Sequence, residues 1–413
     1  MSMTILIYGI NFYPELTGTG PYNTEMCEYL KECGHNVIMV TGFPYYPDWR
    51  IQDGYKKKLF MKEEYNGIQV LRSYLYSPRT ITTKARIAHQ LSFTFSSAFS
   101  LLRLPSPDVV ITVCPPFLLG LEAYFYCRWK NIPFVFHLQD LQVDMADKLE
   151  MVRGKRMRGF IYRLEKFILE RANLVSAISL EMVEKIKSKG INPAKTYFFP
   201  NWVDPDFIQP LPEKNSFRKL HSLDNKFIVL YSGNVGIRQG LELVIEVARM
   251  TESNKEIVYL IVGEGIQKER LQDKVAQVGL KNVLFLPVQE REILPSMLSA
   301  ADVSLIPHQK SLSEFVMPSK LLGIMASGRP VIAGVTPGTG LYRITREAQC
   351  GIAIEPENSQ ALYDAIMSLY KNPGLRKHLG ENGRAYVCRN FSKNQVLNNF
   401  ETKLLEVVAA GNK

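Results

Sequence analysis

Long apolar runs are missing from this sequence of 413 residues: no stretch approaches the ~18 uninterrupted apolar residues that a membrane-spanning helix needs. The first residues lead straight into a short apolar strand, without a basic leader or a small-residue cleavage site, so no signal peptide is expected. Cysteine is sparse. The six (Cys27, Cys33, Cys114, Cys127, Cys350, Cys388) form no Cys-x-x-Cys pair and do not cluster with histidines, which excludes a zinc site or a disulfide framework as the organising device and fits a reducing compartment, the cytoplasm. Acidic charge is in deficit, leaving a formal net charge of +10. A basic surface can attract nucleic acid, anionic lipid or phosphorylated substrates. The aromatic residues are not interleaved with basic ones as in an RNA-binding motif, so nucleic acid is not the expected partner.

What is present describes a globular α/β protein. Apolar residues make up 46% and charged residues 22%, and a chain of this length points to two domains. Short apolar runs at Thr4–Tyr8, Asn36–Thr41, Val109–Val113, Phe134–Leu138 and Leu174–Ala177 alternate with helical segments, as in a parallel sheet covered on both faces. A second series follows a proline-rich, polar stretch: Phe227–Tyr231, Ile257–Val262, Val283–Leu286, Val303–Ile306, Val331–Ala333 and Ile352–Ile354. The expected architecture is two facing, doubly wound, Rossmann-like domains, residues 1–205 and 206–390, with ligand loops at the carboxyl ends of their strands and a cleft between them. A C-terminal helix over 391–410 is expected to pack back on the first domain.

Two segments carry unusual surface signals. Arg153–Arg171 holds seven Lys/Arg against Glu165 and Glu170, and reads either as a solvated helix face or as a site for an anionic membrane. Lys84–Leu104 is a helical stretch in which Phe93, Phe95 and Phe99 are mixed with serines, either a packing face or a membrane contact.

The chemistry lies in the loops. After the first strand, Gly18-Thr19-Gly20 precedes a helix, a place where backbone N–H groups and the helix dipole favour phosphate. It is not a dinucleotide fingerprint, because Asn23 stands at the third glycine and no acidic ribose ligand ends the second strand. The second domain opens with Ser232-Gly233-Asn234-Val235-Gly236 and Arg238, donors placed for a diphosphate. Gly263-Glu264-Gly265 and Pro287-Val288-Gln289 close further strands and could line a flat nucleobase pocket. Pro318-Ser319-Lys320 is a cationic helix start, where the macrodipole disfavours lysine unless an anion binds. Asp204-Pro205-Asp206 has the spacing of a metal-binding Asp-x-Asp, but two spaced carboxylates without further ligands read as a turn, and no metal is expected.

In order and combination these motifs resemble the retaining glycosyltransferases of family 4, with the GT-B fold, and within them the colanic-acid and exopolysaccharide branch. The residues that carry the likeness are Tyr13-Pro14-Glu15 with Gly18 and Gly20, Pro44-Tyr45-Tyr46-Pro47, Phe199-Pro200-Asn201-Trp202, Ser232-Gly233-Asn234, Gly263-Glu264-Gly265, and Pro318-Ser319-Lys320 with Ala326-Ser327-Gly328.

The resemblance implies a UDP- or GDP-sugar donor, a glycan or lipid-linked acceptor, and retention of configuration by front-face displacement. It puts Glu15, Tyr45 and Asn201 on the acceptor side, and His137, then Asp140, at the donor sugar. Val316 and Met317 join Pro318, Ser319 and Lys320 at the donor, with Lys320 catalytic. The chain departs from the family at four positions. Phe315 and Gly323 replace a pair of glutamates, for which Glu314 is a candidate substitute, and Asn234 and Gln239 replace an arginine and a lysine, so Lys320 and Arg238 are expected to supply the missing charge. A GT-B-shaped sugar-nucleotide epimerase or phosphorylase is the competing enzyme class. An epimerase would act on the donor alone.

Overall fold

The computed structural model describes residues 2–148, 154–212, 215–309 and 319–411. The chain forms two compact units, Met1–Pro200 with Val396–Lys413, and Asn201–Gln395.

The first unit runs β1 (Thr4–Tyr8), α1 (Gly20–Glu32), β2 (Asn36–Gly42), β3 (Phe60–Tyr65), β4 (Ile68–Ser73), α2 (Thr83–Leu102), β5 (Val109–Cys114), α3 (Leu119–Lys130), β6 (Phe134–Leu138), α4 (Gln142–Lys148), α5 (Lys155–Arg171), β7 (Leu174–Ala177), α6 (Leu180–Ser188) and β8 (Thr196–Phe198). Its sheet has the order β3-β4-β2-β1-β5-β6-β7-β8. Strand β3 alone is antiparallel to its neighbour. Every residue of β5, VVITVC, is buried, as a strand covered on both faces requires. The β3–β4 hairpin turns at Asn66-Gly67, both at positive φ (49° and 74°), the conformation that a tight two-residue hairpin loop selects.

The second unit runs α7 (Ser216–Leu220), β9 (Phe227–Ser232), α8 (Glu242–Met250), β10 (Ile257–Val262), α9 (Lys268–Val278), β11 (Val283–Leu286), α10 (Leu294–Ala300), β12 (Val303–Ile306), α11 (Lys320–Ala326), β13 (Val331–Gly334), α12 (Gly340–Glu347), β14 (Gly351–Ile354), α13 (Ser359–Lys371) and α14 (Pro373–Asn390). Its parallel sheet has the order β11-β10-β9-β12-β13-β14. The winding therefore reverses between β9 and β12, and between β1 and β5 in the first unit. In open α/β sheets such reversals are where ligands bind.

The last helix, α15 (Lys393–Gly411), supplies the closing layer of the first unit. Phe400 stacks on Phe199 with ring centroids 3.8 Å apart and planes at 10°. Glu401 pairs with buried His35 at 3.0 Å.

A buried ion pair ties the base of the second unit. Asp302 Oδ2 accepts from Arg218 Nη2 at 2.6 Å and from the Ile228 N–H at 2.8 Å. The same guanidinium donates to the carbonyls of Ala300 and Lys226, each at 2.8 Å. Removing one charge strands the other in a poorly hydrated interior, which costs about 3–5 kcal/mol. Asp302→Ala should therefore lower the urea midpoint of the second unit's unfolding. An unchanged midpoint would deny this pair its structural role.

Candidate functional site

In the second unit the loops after β9 and β10 are pressed together backbone to backbone. Gly233 and Gly263 adopt φ of +144° and +147°, a region that side chains rarely enter. A Cβ on Gly263 would lie 1.9 Å from the Gly233 carbonyl oxygen, and one on Gly265 would lie 2.3 Å from that of Val235. Val235 N–H donates to Glu264 O at 2.8 Å, and Gln267 N–H to Val235 O at 3.0 Å.

Lys320, first residue of α11, extends over this turn. Its Nζ is 3.0 Å from where a Cβ of Gly233 would stand, which places the ammonium against bare backbone. It donates to the Tyr231 hydroxyl at 3.3 Å and lies 4.4 Å from the centre of that ring. The Tyr231 hydroxyl in turn donates to Asn234 O at 2.7 Å. Among the described residues no carboxylate pairs with Lys320. Burial pulls its ammonium pKa down to about 8, so the cation is held in a place that penalises its charge.

His308, two residues past β12, joins the same corner. Burial, and then the Lys320 charge, hold its imidazole down at about 4, so it is neutral near pH 7. Among the described residues neither His308 Nε2 nor the buried Gln239 Oε1 has a hydrogen-bond partner. The structure thus gathers an incompletely solvated cation and two unpaired polar atoms around the β9–β12 reversal. No sequence motif marks His308 or Tyr231 as a site residue. The available signal was position alone: Pro307-His308 directly follows a strand beside β9.

The other expected donor residues are placed less centrally. Asn234 and Arg238 are exposed, the latter in a short 3₁₀ turn, Ile237–Gln239, whose Arg238 carbonyl accepts from Gln309 N–H at 3.1 Å. Ser319 is exposed beside Lys320, and Val288 is exposed beyond β11, two strands away from β9. Glu314, Val316, Met317 and Pro318 lie outside the described residues.

In the first unit the expected residues build the loop after β1 more than they face outward. Glu15 is buried and fully engaged: Oε1 accepts from the N–H groups of Tyr45 and Tyr46, each at 2.8 Å, and Oε2 from Asn11 Nδ2 at 2.8 Å. Burial raises its pKa against the lowering effect of those donors. A Cβ on Gly20 would meet the Glu15 carbonyl oxygen at 2.7 Å, and one on Gly18 (φ +69°) the Tyr46 ring at 3.3 Å. Tyr45 is buried against Trp49 and His89, with ring centroids 5.5 and 4.3 Å away. These residues shape the loops after β1 and β2 from beneath. Asn201 is buried at the start of the second unit.

His137 is expected at the donor sugar. It is buried at the end of β6, between Ser176 Oγ on Nδ1 and Gln139 Nε2 on Nε2, each at 3.0 Å, with Phe199 4.8 Å from its ring centre. Burial lowers its pKa to about 3. Both ring nitrogens are thus engaged within the first unit, and Asp140, three residues on, is exposed.

The Asp204-Pro205-Asp206 turn reads as a turn in three dimensions. Asp204 Oδ1 accepts from the Asp206 and Phe207 N–H groups at 3.0 and 3.1 Å, and Oδ2 pairs with Lys393 at 3.2 Å. Among the described residues no three His, Cys, Asp or Glu side chains gather as metal ligands.

The two halves match two known domain families. Residues 17–202 match the family described as "Glycosyl transferase 4-like domain", and residues 212–386 the one described as "Glycosyl transferases group 1". Over 409 residues, 96% of this chain and 98% of the other, the chain is 36% identical to the Escherichia coli (strain K12) protein described as "Putative colanic acid biosynthesis glycosyl transferase WcaI". Sucrose-phosphate synthase (tll1590) from Thermosynechococcus elongatus aligns with a TM-score of 0.77 at 20% identity, over 98% of this chain and 99% of the other. Anabaena Alr3699/HepE in complex with UDP aligns with a TM-score of 0.72 at 15% identity, over 98% and 100%. At these identities the last two likenesses are of fold alone.

The close approach of the two turns gives a test. Gly263→Ala should destabilise the second unit by about 1–3 kcal/mol, the cost of a side chain in a strained backbone region. Gly159→Ala, in α5 with nothing within 4 Å of the added carbon, should be neutral or slightly stabilising. Equal urea midpoints of wild type and Gly263→Ala would disprove the importance of this contact.

Proposed function

The chain belongs to the GT-B glycosyltransferases of family 4, in the branch that includes colanic acid biosynthesis enzymes, and from that premise we propose that it transfers a hexose from a UDP- or GDP-sugar to a glycan or lipid-linked acceptor in cell-surface polysaccharide synthesis, at the cytoplasmic face of the membrane. The observation that carries the donor reading is the Lys320 ammonium lying on the bare Gly233 turn at the β9–β12 reversal. The UDP and UDP-glucose complexes of the structural neighbour HepE support the same class of donor.

In this reading the donor diphosphate rests on the Gly233-Asn234 turn and meets Lys320, with Arg238 as an outer cation. The sugar C1–O bond to the phosphate breaks as the acceptor hydroxyl oxygen bonds to C1 on the same face. The acceptor proton passes to the departing phosphate oxygen, and configuration is retained. Charge accumulates on the leaving diphosphate, so a fixed cation stabilises the transition state more than the ground state. The protein cations make a divalent metal unnecessary. Asp140 is the candidate polar contact to the sugar, and Glu15 and Tyr45 hold the acceptor-side loops.

Lys320→Ala should weaken UDP binding by ~1.5–3 kcal/mol, the usual worth of a charge-assisted contact. The pH dependence is more specific. In the free protein Lys320 loses its proton as pH rises through about 8, while a bound diphosphate favours the charged form. UDP affinity should therefore fall above that pH, and Lys320→Arg, charged throughout, should flatten the profile. A profile for wild type that is flat across this range would remove Lys320 from the diphosphate.

Transfer activity should also survive EDTA. Complete loss on chelation, restored by manganese or magnesium, would overturn the metal-free reading.

A further inference from the structure

Helix α2 is built with its polarity reversed. Its inward face carries Thr94, Ser97 and Ser100 beside Phe93, and their hydroxyls are spent on neighbours: Ser97 Oγ meets the Tyr8 hydroxyl at 2.6 Å, and Ser100 Oγ meets Ser73 Oγ at 2.8 Å. Its outward face carries Phe95, Phe99 and Leu102, spaced to share one side of a helix, with Ile87 a few turns before them. These four are 51–69% exposed in the whole chain. Between Ala88 and Leu102 the helix has no Asp, Glu, Lys or Arg. A water-facing helix ordinarily shows the opposite arrangement.

The neighbouring helices continue the pattern. The crossovers β4–α2–β5, β5–α3–β6 and β6–α5–β7 all step the same way across the sheet, and right-handed crossovers in one direction lie on one face. On α3, Phe125 and Trp129 are one turn apart and both exposed, and Tyr124 packs edge-on against Phe167 of α5 at 5.1 Å. On α5, Met157 and Phe160 are exposed.

Around these apolar side chains the charge is almost entirely of one sign. Helices α2, α3 and α5 contain ten Lys/Arg and three carboxylates. Two of the three are used inside the unit: Glu122 accepts from the Tyr8 hydroxyl, and Glu165 pairs with Lys189. Only Glu170 is exposed. Large aromatic and aliphatic side chains, ringed by Arg and Lys and nearly free of exposed acid, suit the boundary between anionic headgroups and acyl chains. No described helix is long and apolar enough to cross a membrane, so this face would lie on the surface of one.

We propose that the α2–α3–α5 face of the first unit docks on an anionic lipid bilayer, with Phe95, Phe99 and Trp129 entering the headgroup layer and the α5 cations pairing with lipid phosphates. This deepens, and in its biological purpose rests on, the reading of the protein as an enzyme that serves a lipid-linked acceptor. An acidic partner protein or a second copy of the chain would need a matching apolar surface, and the uniform positive rim opposes self-pairing.

Flotation with vesicles of phosphatidylethanolamine and phosphatidylglycerol tests the inference directly. The wild type should float with these vesicles and remain below with vesicles of phosphatidylcholine alone, and high salt should weaken its binding. Trp129 is the exposed tryptophan, whereas Trp202 is buried and Trp49 half-buried, so its emission should shift to shorter wavelength on binding. The triple variant Phe95→Ser, Phe99→Ser, Trp129→Ser should lower the partition coefficient at least about tenfold, as should the double variant Arg156→Glu, Arg163→Glu, with circular dichroism unchanged. Wild-type protein that stays below with anionic vesicles, or a triple variant that floats as well as the wild type, overturns the inference. So does a sedimenting wild-type dimer that the triple variant breaks, because the face then covers a second copy. Calorimetric titration with UDP and with GDP on the same preparations separates the two readings: either nucleotide bound without flotation removes the docking face and leaves the enzymatic proposal, and flotation with neither nucleotide bound does the reverse.

Discussion

The donor-side geometry depends on one close contact, that of the Gly233 carbonyl with the Gly263 backbone. Any side chain at Gly263 would collide with that oxygen. Because none is present, the turn after β9 can lie flat against the turn after β10, and a ledge of bare main chain is left where Lys320 comes to rest. Among the described residues, the ledge gives the cation an aromatic ring and a hydroxyl, those of Tyr231, and no carboxylate. Such surroundings hold an ammonium in place while leaving its charge poorly compensated, and a group in that state gains from an arriving anion. The neutral His308 beside it adds no competing charge.

Glu15 and His137 of the first unit contrast with the lysine corner of the second. In the first, Glu15 and His137 are satisfied by the protein itself, and their work is to fix loops. In the second, unpaired polar atoms and the under-solvated lysine cluster at the reversal of the sheet. A ligand has more to offer the second cluster than the first.

Much of the fold is legible in the sequence because buried parallel strands must be apolar on both faces. The runs at Thr4–Tyr8, Phe134–Leu138 and Ile257–Val262 coincide with β1, β6 and β10. The strands that a search for apolar runs passes over are those that do not meet this condition. Strand β3, FMKEEY, is an exposed edge, and its hairpin is marked instead by Asn66-Gly67. Strand β8 has three residues, all half-buried. The glycine turns and Lys320 were readable because their backbone and charge demands are local. The burial of His137 was not, because its partners Ser176 and Phe199 come from distant parts of the chain. Nor does a string of letters say which side of α2 meets water: Phe93 points inward, and Phe95 and Phe99 outward. His308 lacked a motif altogether, and its relevance comes from the lysine that the fold brings beside it.

The return of α15 makes the first unit discontinuous in sequence. His35 and Glu401, which face each other across its edge, are separated by 366 residues, and the Phe199 ring is covered by Phe400. Protein synthesis is vectorial, so the early sheet emerges from the ribosome with this flank still bare, while the second unit's residues follow as one uninterrupted block. The half that begins translation first is thus the half finished last. Through that interval its uncovered aromatic edge is a natural client for a chaperone.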